Sequence, residues 1–365
     1  MRLFILYSNI EKRIEIKNNP ISKLTGENYL LWGADYYSEK GIEVFDNLSE
    51  KYLLNKREKQ INQKITNCWT KLGGYGGDWV TIWKARKELN KVDVVFSAAD
   101  RLGIPLMFFM LLGLIKRKRV VYQSIGLPER IEKLTTMIMK SLYIKAYSKI
   151  DTLFCYGYYE KEYLQEWIGK QVKVELVPLG LDCNCYVPQK EVINYDIISV
   201  GADPMRDYEL LFLYAKKNKD LKIKMIISSE LYATFKEIPE NIDISIDIDF
   251  EAIKEFFNKS KIVVLPVKEN NYSAATTTLL IGMALGKAVV VANTSAIKDG
   301  YKLSDGTNCL LYLPGDYNSF SSKVDDVLKD DILRISIESN SRDLSVNHLN
   351  KESYCRTIFS FINAN

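Results

Sequence analysis

The stretch from Lys261 to Val291 restricts what this chain can fold into more than any other part of it. It reads KIVVLPV, then KENNYSAA, then TTTLLIGMALG, then KAVVV. The first piece is a short Val/Ile run, the pattern of a strand buried on both faces. The second is small and polar, a loop. The third places Leu279, Leu280, Met283 and Ala284 on a helix, with Thr276 to Thr278 at its start and Gly286 just past its end. The fourth is another buried strand. Two strands joined through one short helix cannot form a hairpin, so the spacing predicts parallel neighbours with a right-handed crossover. In such a unit the loop leaving the first strand opens a crevice, and the helix N-terminus offers N–H groups to an anion, a phosphate for example. An ordinary α/β crossover with polar capping would read the same way.

The rest of the chain repeats this alternation. Leu3–Tyr7, Val92–Phe96, Val120–Gln123, Thr152–Cys155 and Val172–Val177 read as strands separated by helical stretches. Residues 20 to 70 look polar and irregular, with a charged helical piece near Lys51 to Lys64. Gly73 to Gly77 is a sharp loop before a helix that ends near Leu89, and one amphipathic helix is expected from Lys133 to Lys149. Pro178 and Pro188 bracket a turn-rich connector, PLGLDCNCYVP. A second run follows, with strands at Tyr195–Val200 and Ile223–Ile227 and an Ile/Asp alternation over 240–250 that suits a half-buried strand. Helices at Glu251–Asn258, Lys323–Lys329 and Glu352–Ile362 complete it. At 365 residues the chain suits two doubly wound α/β domains, 1–188 and 189–345, with a C-terminal helical piece, 346–365, packing back on the first. A ligand is expected in the cleft between them.

Composition removes several functional classes. The formal charge is only +4, so no global basic field points to nucleic acid. The single histidine, His348, excludes Ser/His/Asp and Cys/His catalysis, and Cys183-x-Cys185 lacks the second ligand pair that zinc needs, so no metal is expected. Scattered cysteines with no secretory leader fit a reducing cytoplasm. The longest apolar run, Leu102 to Ile115, is shorter than the ~20 residues of a spanning helix. It reads as a buried core helix. The basic cluster Lys116 to Arg119 behind it leaves open a peripheral contact with anionic lipid.

Among the polar residues Arg206 stands out. It sits in the loop between a buried strand and a helix, at the same sheet edge as the Thr276 loop. A guanidinium there could fork onto a diphosphate and neutralise a leaving phosphate. A surface arginine paired with Asp203 or Asp207 is the plain alternative. Lys268 is either a second cation or a solvated loop lysine. Asp100, in a strand-exit loop, could act as a general base, with Glu129 and Arg130 in the next such loop. Each is more often a helix cap or a surface ion pair than a catalyst.

Taken jointly and in order, four segments resemble the two-domain GT-B glycosyltransferases, in particular glycosyltransferase family 4. VPLGLDCNCYVP is similar to the family's interdomain P-N-G-V-D-x-x-x-F-x-P segment. Gly201 to Tyr208 takes the place of its G-R-x-x-x-x-K-G loop. TTTLLIGMALGKAVVV resembles L-L-E-A-M-A-x-G-x-P-V-V, and DGTNCLLYLPGD resembles D-G-x-N-G-x-L-x-x-P-G-D. The family's paired glutamates, eight apart, fall at Ser273 and Ile281. Ala202 stands at its first cation, and Ile125 stands where related enzymes carry a histidine. The resemblance implies a GT-B fold, two Rossmann-like domains facing a central cleft, and metal-independent transfer of a sugar from a nucleotide-diphosphate donor to a hydroxyl, with no further cofactor and with retention of configuration. It implies that Gly201, Arg206, Lys268, Asn270, Asn271, Tyr272, Ser273, Thr276, Thr277 and Thr278 meet the donor. It implies that Gly76, Gly77, Asp100, Ser124, Gly126, Glu129 and Arg130 meet the acceptor, a saccharide of the cell envelope carried on a lipid at the inner face of the plasma membrane. Two other roles fit the same residues: a non-catalytic GT-B subunit beside an active transferase, and a nucleotide-sugar epimerase.

Overall fold

The structure is a computed structural model that describes residues 1–270, 274–297 and 300–364, with Lys23 and Leu24 described by their backbone only. The chain divides into two compact units. The first comprises Met1–Ser22, Asn28–Val177 and Cys355–Asn365, and the second Lys23–Glu27 and Pro178–Tyr354. The connector therefore groups with the second unit, and the last eleven positions of the chain return to the first.

The first unit carries strands β1 (Arg2–Leu6), β2 (Glu43–Asp46), β3 (Val94–Ser97), β4 (Arg119–Gln123), β5 (Thr152–Cys155) and β6 (Lys173–Leu176). They pair in the order β2-β1-β3-β4-β5-β6, every pair parallel. The second unit carries β7 (Tyr195–Val200), β8 (Ile223–Ile227), β9 (Ile242–Ile246), β10 (Ser260–Leu265), β11 (Ala288–Ala292) and β12 (Leu310–Tyr312) in the parallel order β12-β11-β10-β7-β8-β9. Each is a doubly wound sheet. The strand order reverses between β1 and β3 in the first and between β7 and β10 in the second. At such a reversal the two flanking crossovers leave on opposite faces of the sheet, which opens a crevice at the carboxyl ends of the strands. The fold thus names one edge position in each unit before any side chain is considered.

The strand–helix–strand unit predicted from Lys261 to Val291 is present as β10, helix Thr276–Ala284 and β11, with β10 and β11 paired in parallel from Ile262–Ala288 to Leu265–Val291. All five residues of β11 are buried. Gly282 lies against Val263 and Val289, where an added Cβ would come within 3.1 Å of Val289, so the helix can approach the strands closely. Leu279, Leu280 and Met283 are buried; each contributes roughly 1.5–3 kcal/mol by leaving water.

The apolar run at Leu102 forms helix Asp100–Leu111, buried from Leu102 to Met110. No helix among the described residues is long and apolar enough to cross a membrane. Pro105 lies inside this helix. It has no N–H for the Arg101 carbonyl, and the Asp78 N–H takes that carbonyl instead, at 2.8 Å. Gly77 packs on the same spot, 2.7 Å from the Arg101 carbonyl to an added Cβ, so a proline and a glycine together let the 73–78 loop dock.

Several elements differ from expectation. The region 20–70 contains the edge strand β2 and a long helix, Lys56–Lys71. The single helix expected over 133–149 is two, Leu127–Glu132 and Met137–Tyr147, because Thr136 caps the Met139 N–H at 3.2 Å and starts a new helix. Helix Asp331–Asn347 is an addition to those read from sequence. From it Arg342 donates to the carbonyls of Tyr186 (2.6 Å), Cys183 (3.3 Å) and Ala284, fixing the connector to the C-terminal end of helix Thr276–Ala284.

Candidate active site

In the second unit the sheet edge at the reversal is built by two loops, one after β7 and one after β10. They are joined by an antiparallel bridge between Arg206 and Val267. The Asp207 N–H donates to the Pro266 carbonyl at 3.0 Å, and the Lys268 N–H to the Met205 carbonyl at 2.9 Å. Tyr312 on β12 braces the second loop, accepting from the Val267 N–H at 3.1 Å, and Tyr208 donates to the Gly201 carbonyl at 2.8 Å. Asp203 accepts from the Met205 N–H at 2.7 Å and shapes the turn that delivers Arg206.

Arg206 is buried. Its Nη2 donates to the Val200 carbonyl at 2.7 Å and to Oγ1 of Thr278 at 3.2 Å. Gly201, at φ 152°, makes room for it: a Cβ there would run into the guanidinium. Helix Thr276–Ala284 begins at Ala275, a non-glycine residue at φ 67° with no side-chain oxygen to cap the first turn. Its first-turn N–H groups are therefore not consumed by an N-cap side chain, and its positive dipole end lies beside Arg206. Thr276 is buried, and Thr277 and Thr278 are half-buried. Lys268 is exposed, and Asn270 is buried, donating from Nδ2 to the Lys268 carbonyl at 2.8 Å. Asn271, Tyr272 and Ser273 lie outside the described residues. Ile281, at the place of the family's second glutamate, is buried. Sequence reasoning missed the neighbouring exit of β11. There Ser295 donates its N–H to Glu269 Oε1 at 3.1 Å, and Asn293 Oδ1 and Thr294 Oγ1 are buried with no hydrogen-bond partner among the described residues.

In the first unit three consecutive strand exits, after β3, β4 and β5, converge on one buried network. Asp100 is at the start of its helix and is buried. Its Oδ1 accepts from Tyr122 Oη at 2.9 Å, and its Oδ2 from the Ile125 N–H at 3.0 Å. Arg130 forms an ion pair with the same Oδ2, and its guanidinium lies 5.0 Å from the centre of the Tyr75 ring. Burial pushes the Asp100 carboxyl above the usual carboxylate range, against the pull of Arg130, the Ile125 N–H and Tyr122. Ser124 donates to Glu160, a buried residue in the first turn of helix Tyr158–Ile168. Burial pushes the Glu160 carboxyl up to about 8, against the Ser124 hydroxyl and the N–H groups of Tyr156 and Gly126. Gly126, at φ 77°, turns the chain into helix Leu127–Glu132. Asp100, Ser124, Gly126 and Arg130 are thus brought together. Glu129 stands apart, exposed, 3.8 Å from Lys133. Glu160 was missed. Its signal in sequence is an acid in the first turn after a third successive buried strand.

Beside this network, at the reversal between β1 and β3, lies a cavity of about 570 Å³ lined by Asn9, Lys12, Lys59, Asn62, Asp78 and Arg101 among others. Asp78 and Arg101 pair across 2.9 Å; burial raises the Asp78 carboxyl and Arg101 draws it back. Gly77 gives its carbonyl to Asn62 Nδ2 (3.1 Å), a residue of the cavity lining, and to Thr66 Oγ1 (3.3 Å), with Gly76 packed against Thr66. Among the described residues no group of three or more His, Cys, Asp or Glu is placed to hold a metal ion.

The architecture of both units is that of the GT-B fold. No family model and no curated protein matches the sequence. Solved structures do match over the whole chain. Sucrose-phosphate synthase from Thermosynechococcus elongatus superposes with a TM-score of 0.67 at 12% identity, over 99% of this chain and 98% of that one. HepE of Anabaena, solved with UDP and glucose, gives 0.67 at 12% identity over 100% of both chains. A glycosyltransferase from Rickettsia africae gives 0.61 at 13% identity over 100% of this chain and 99% of that one. At these identities the likeness is one of fold.

Proposed function

We propose that this chain is a glycosyltransferase that moves a sugar from a nucleotide-diphosphate donor onto a saccharide hydroxyl. The observation that carries this reading is the meeting of Arg206 with the start of helix Thr276–Ala284 at the reversal of the second sheet. As the bond from sugar to diphosphate breaks, negative charge grows on the leaving oxygen. A preorganised guanidinium and a helix N-terminus stabilise that charge more than they stabilise the ground state. The reading therefore needs no metal ion. That HepE was solved with UDP-glucose supports a nucleotide-sugar here.

The acceptor is assigned to the first unit, in the polar cavity beside Arg101 and Asp78. Its lining of amides, lysines and one arginine suits sugar hydroxyls. Asp100 takes a positioning role, holding Arg130 and the Ile125 N–H. With both its oxygens engaged and buried, it is poorly suited to abstract a proton, and this favours retention over an inverting attack. The acceptor is a lipid-linked envelope saccharide, and the protein works at the inner face of the plasma membrane.

The test is a thermal-shift series with UDP, GDP, ADP, dTDP and CMP. A ligand at about 100 times its Kd adds about 2.7 kcal/mol to the native state. A shift with one nucleotide, absent in Arg206→Met, is the expected result. No shift with any of them supports the second reading, a non-catalytic GT-B subunit, which the buried Ile281 favours.

A further inference from the structure

Helix Lys56–Lys71 presents two kinds of surface besides the one it buries. Glu58, Asn62, Thr66 and Trp69 form its inner row: Asn62 and Thr66 bond the Gly77 carbonyl, and Trp69 Nε1 donates to Tyr143 Oη at 2.9 Å. Next round the helix comes an apolar row at spacings of four, three and four, namely Ile61, Ile65, Cys68 and the following Leu72. Ile61 is 43% exposed, Ile65 38% and Leu72 54%. Beyond it lies a basic row at spacings of seven, Arg57, Lys64 and Lys71, all exposed. The apolar row does not stop at Leu72. Thr136 Oγ1 donates to the Leu72 carbonyl at 3.5 Å, which brings up Met137 (79% exposed) and Ile138 (73%) at the start of helix Met137–Tyr147. Lys140, one turn on, is exposed as well.

An apolar strip that stays in solvent beside a row of cations is the pattern of a helix lying in a lipid–water interface. We propose that this strip seats the first unit on an anionic bilayer surface, Ile61, Ile65, Leu72, Met137 and Ile138 entering the acyl boundary and Arg57, Lys64, Lys71 and Lys140 meeting lipid phosphates. Charge decides the occupant, since a neutral protein partner would not need the basic row. The expected cluster Lys116 to Arg119 is not this surface. Arg117 pairs with Asp151 at 2.9 Å, Lys118 donates to the Val92 carbonyl at 3.3 Å, and Arg119 to the Phe361 carbonyl at 3.3 Å, at the amino end of β4. The strip instead runs into Gly73–Gly77 and Tyr75, beside Arg130. The proposal deepens the reading of a lipid-linked acceptor, and rests on it for its purpose, because it sets the bilayer at the loops given to that acceptor.

The test is co-sedimentation of the full chain, without nucleotide or acceptor, with vesicles of phosphatidylcholine alone and of equal parts phosphatidylcholine and phosphatidylglycerol. Binding to the second, weak binding to the first and release at ~1 M salt, where the Debye length falls to ~3 Å, are expected. Ile61→Gln/Ile65→Gln, Met137→Gln/Ile138→Gln and Arg57→Gln/Lys64→Gln/Lys71→Gln should each lower partition roughly tenfold or more. Their melting temperatures should match the parent. No sedimentation with anionic vesicles, or equal sedimentation of all variants, overturns the proposal. So does a concentration-dependent dimer that these variants dissociate, which would make a second copy the occupant. Thermal shift with nucleotides on the same variants reads the donor site separately, so either reading can fail alone.

Discussion

Arg206 Nη2 donates to Oγ1 of Thr278 across 3.2 Å, tying the loop after β7 to the first turn of the helix after β10. A guanidinium beside the positive end of a helix is an electrostatic conflict. The fold keeps it nonetheless, with a glycine, a strand carbonyl and an antiparallel bridge holding it there. An anion placed between the guanidinium and the helix start would relieve that conflict.

The first prediction follows from that conflict. Arg206→Met keeps much of the volume and removes the charge, so stability of the ligand-free protein should stay within about 1 kcal/mol of the parent. The nucleotide-induced shift should vanish, and turnover should fall by on the order of 10²-fold or more. Arg206→Lys, which keeps the charge but not the fork, should recover only part. Urea unfolding with and without nucleotide separates the two effects. Retained turnover in Arg206→Met would remove this residue from the site.

Gly201 gives an independent handle on the same group. At φ 152° and against the Arg206 guanidinium, it has no room for a methyl group. Gly201→Ala should displace Arg206 without altering its charge and weaken nucleotide binding at least tenfold, seen as a lost thermal shift or by calorimetry. Strain at such a position costs on the order of 1–3 kcal/mol, so a lower melting temperature should accompany it.

Much of this sheet edge was legible in the sequence, because it depends on local pattern. Val and Ile runs flanking TTTLLIGMALG fix a parallel strand–helix–strand unit, and a loop arginine after another buried strand falls at the same edge. What stayed hidden depends on strand order or on partial burial. Asn9, Lys12 and Arg101 share one cavity only because β1 and β3 are neighbours, and no spacing in the chain encodes that. The edge strand β2 is half-exposed with no fully buried residue, so its apolar signal is weak. Helix Asp331–Asn347 buries only Ile337, Ser341 and Ser345, and its Ser/Asp/Asn content reads as loop. Glu160 looked like one of many helix-start acids until β4 and β5 set it against Ser124.

The Asp100–Arg130 pair should behave as a buried ion pair whose halves are costly alone. Asp100→Asn leaves Arg130 without its counter-charge, and removing one member of such a pair typically costs about 3–5 kcal/mol. Asp100→Asn combined with Arg130→Met should recover a large share of that loss. The full double-mutant cycle, read by denaturant unfolding, measures the coupling. If Asp100 were a surface acid, each single change would stay within about 0.5 kcal/mol.

Glu160 sets a pH dependence of definite sign. Its folded carboxyl is raised to about 8 because burial disfavours the charged form, while the unfolded side chain titrates at the ordinary glutamate value of 4.5. Between those values the folded state holds a proton that the unfolded state has lost, so stability falls as pH rises through this window and levels off above it. The full difference is on the order of 5 kcal/mol, the product of the separation and about 1.4 kcal/mol per pH unit. Glu160→Gln is neutral at every pH and can still accept the Ser124 hydroxyl hydrogen bond. Its urea midpoint should therefore be close to the parent's at pH 5 and clearly above it at pH 8. The Asp100 carboxyl, also raised by burial, works in the same direction, so some downward slope should survive in Glu160→Gln over the lower part of the window. Identical slopes for parent and variant from pH 5 to pH 8 would show that Glu160 is already ionised in the folded protein, and that the network at the exits of β3, β4 and β5 carries a net negative charge rather than a proton on Glu160.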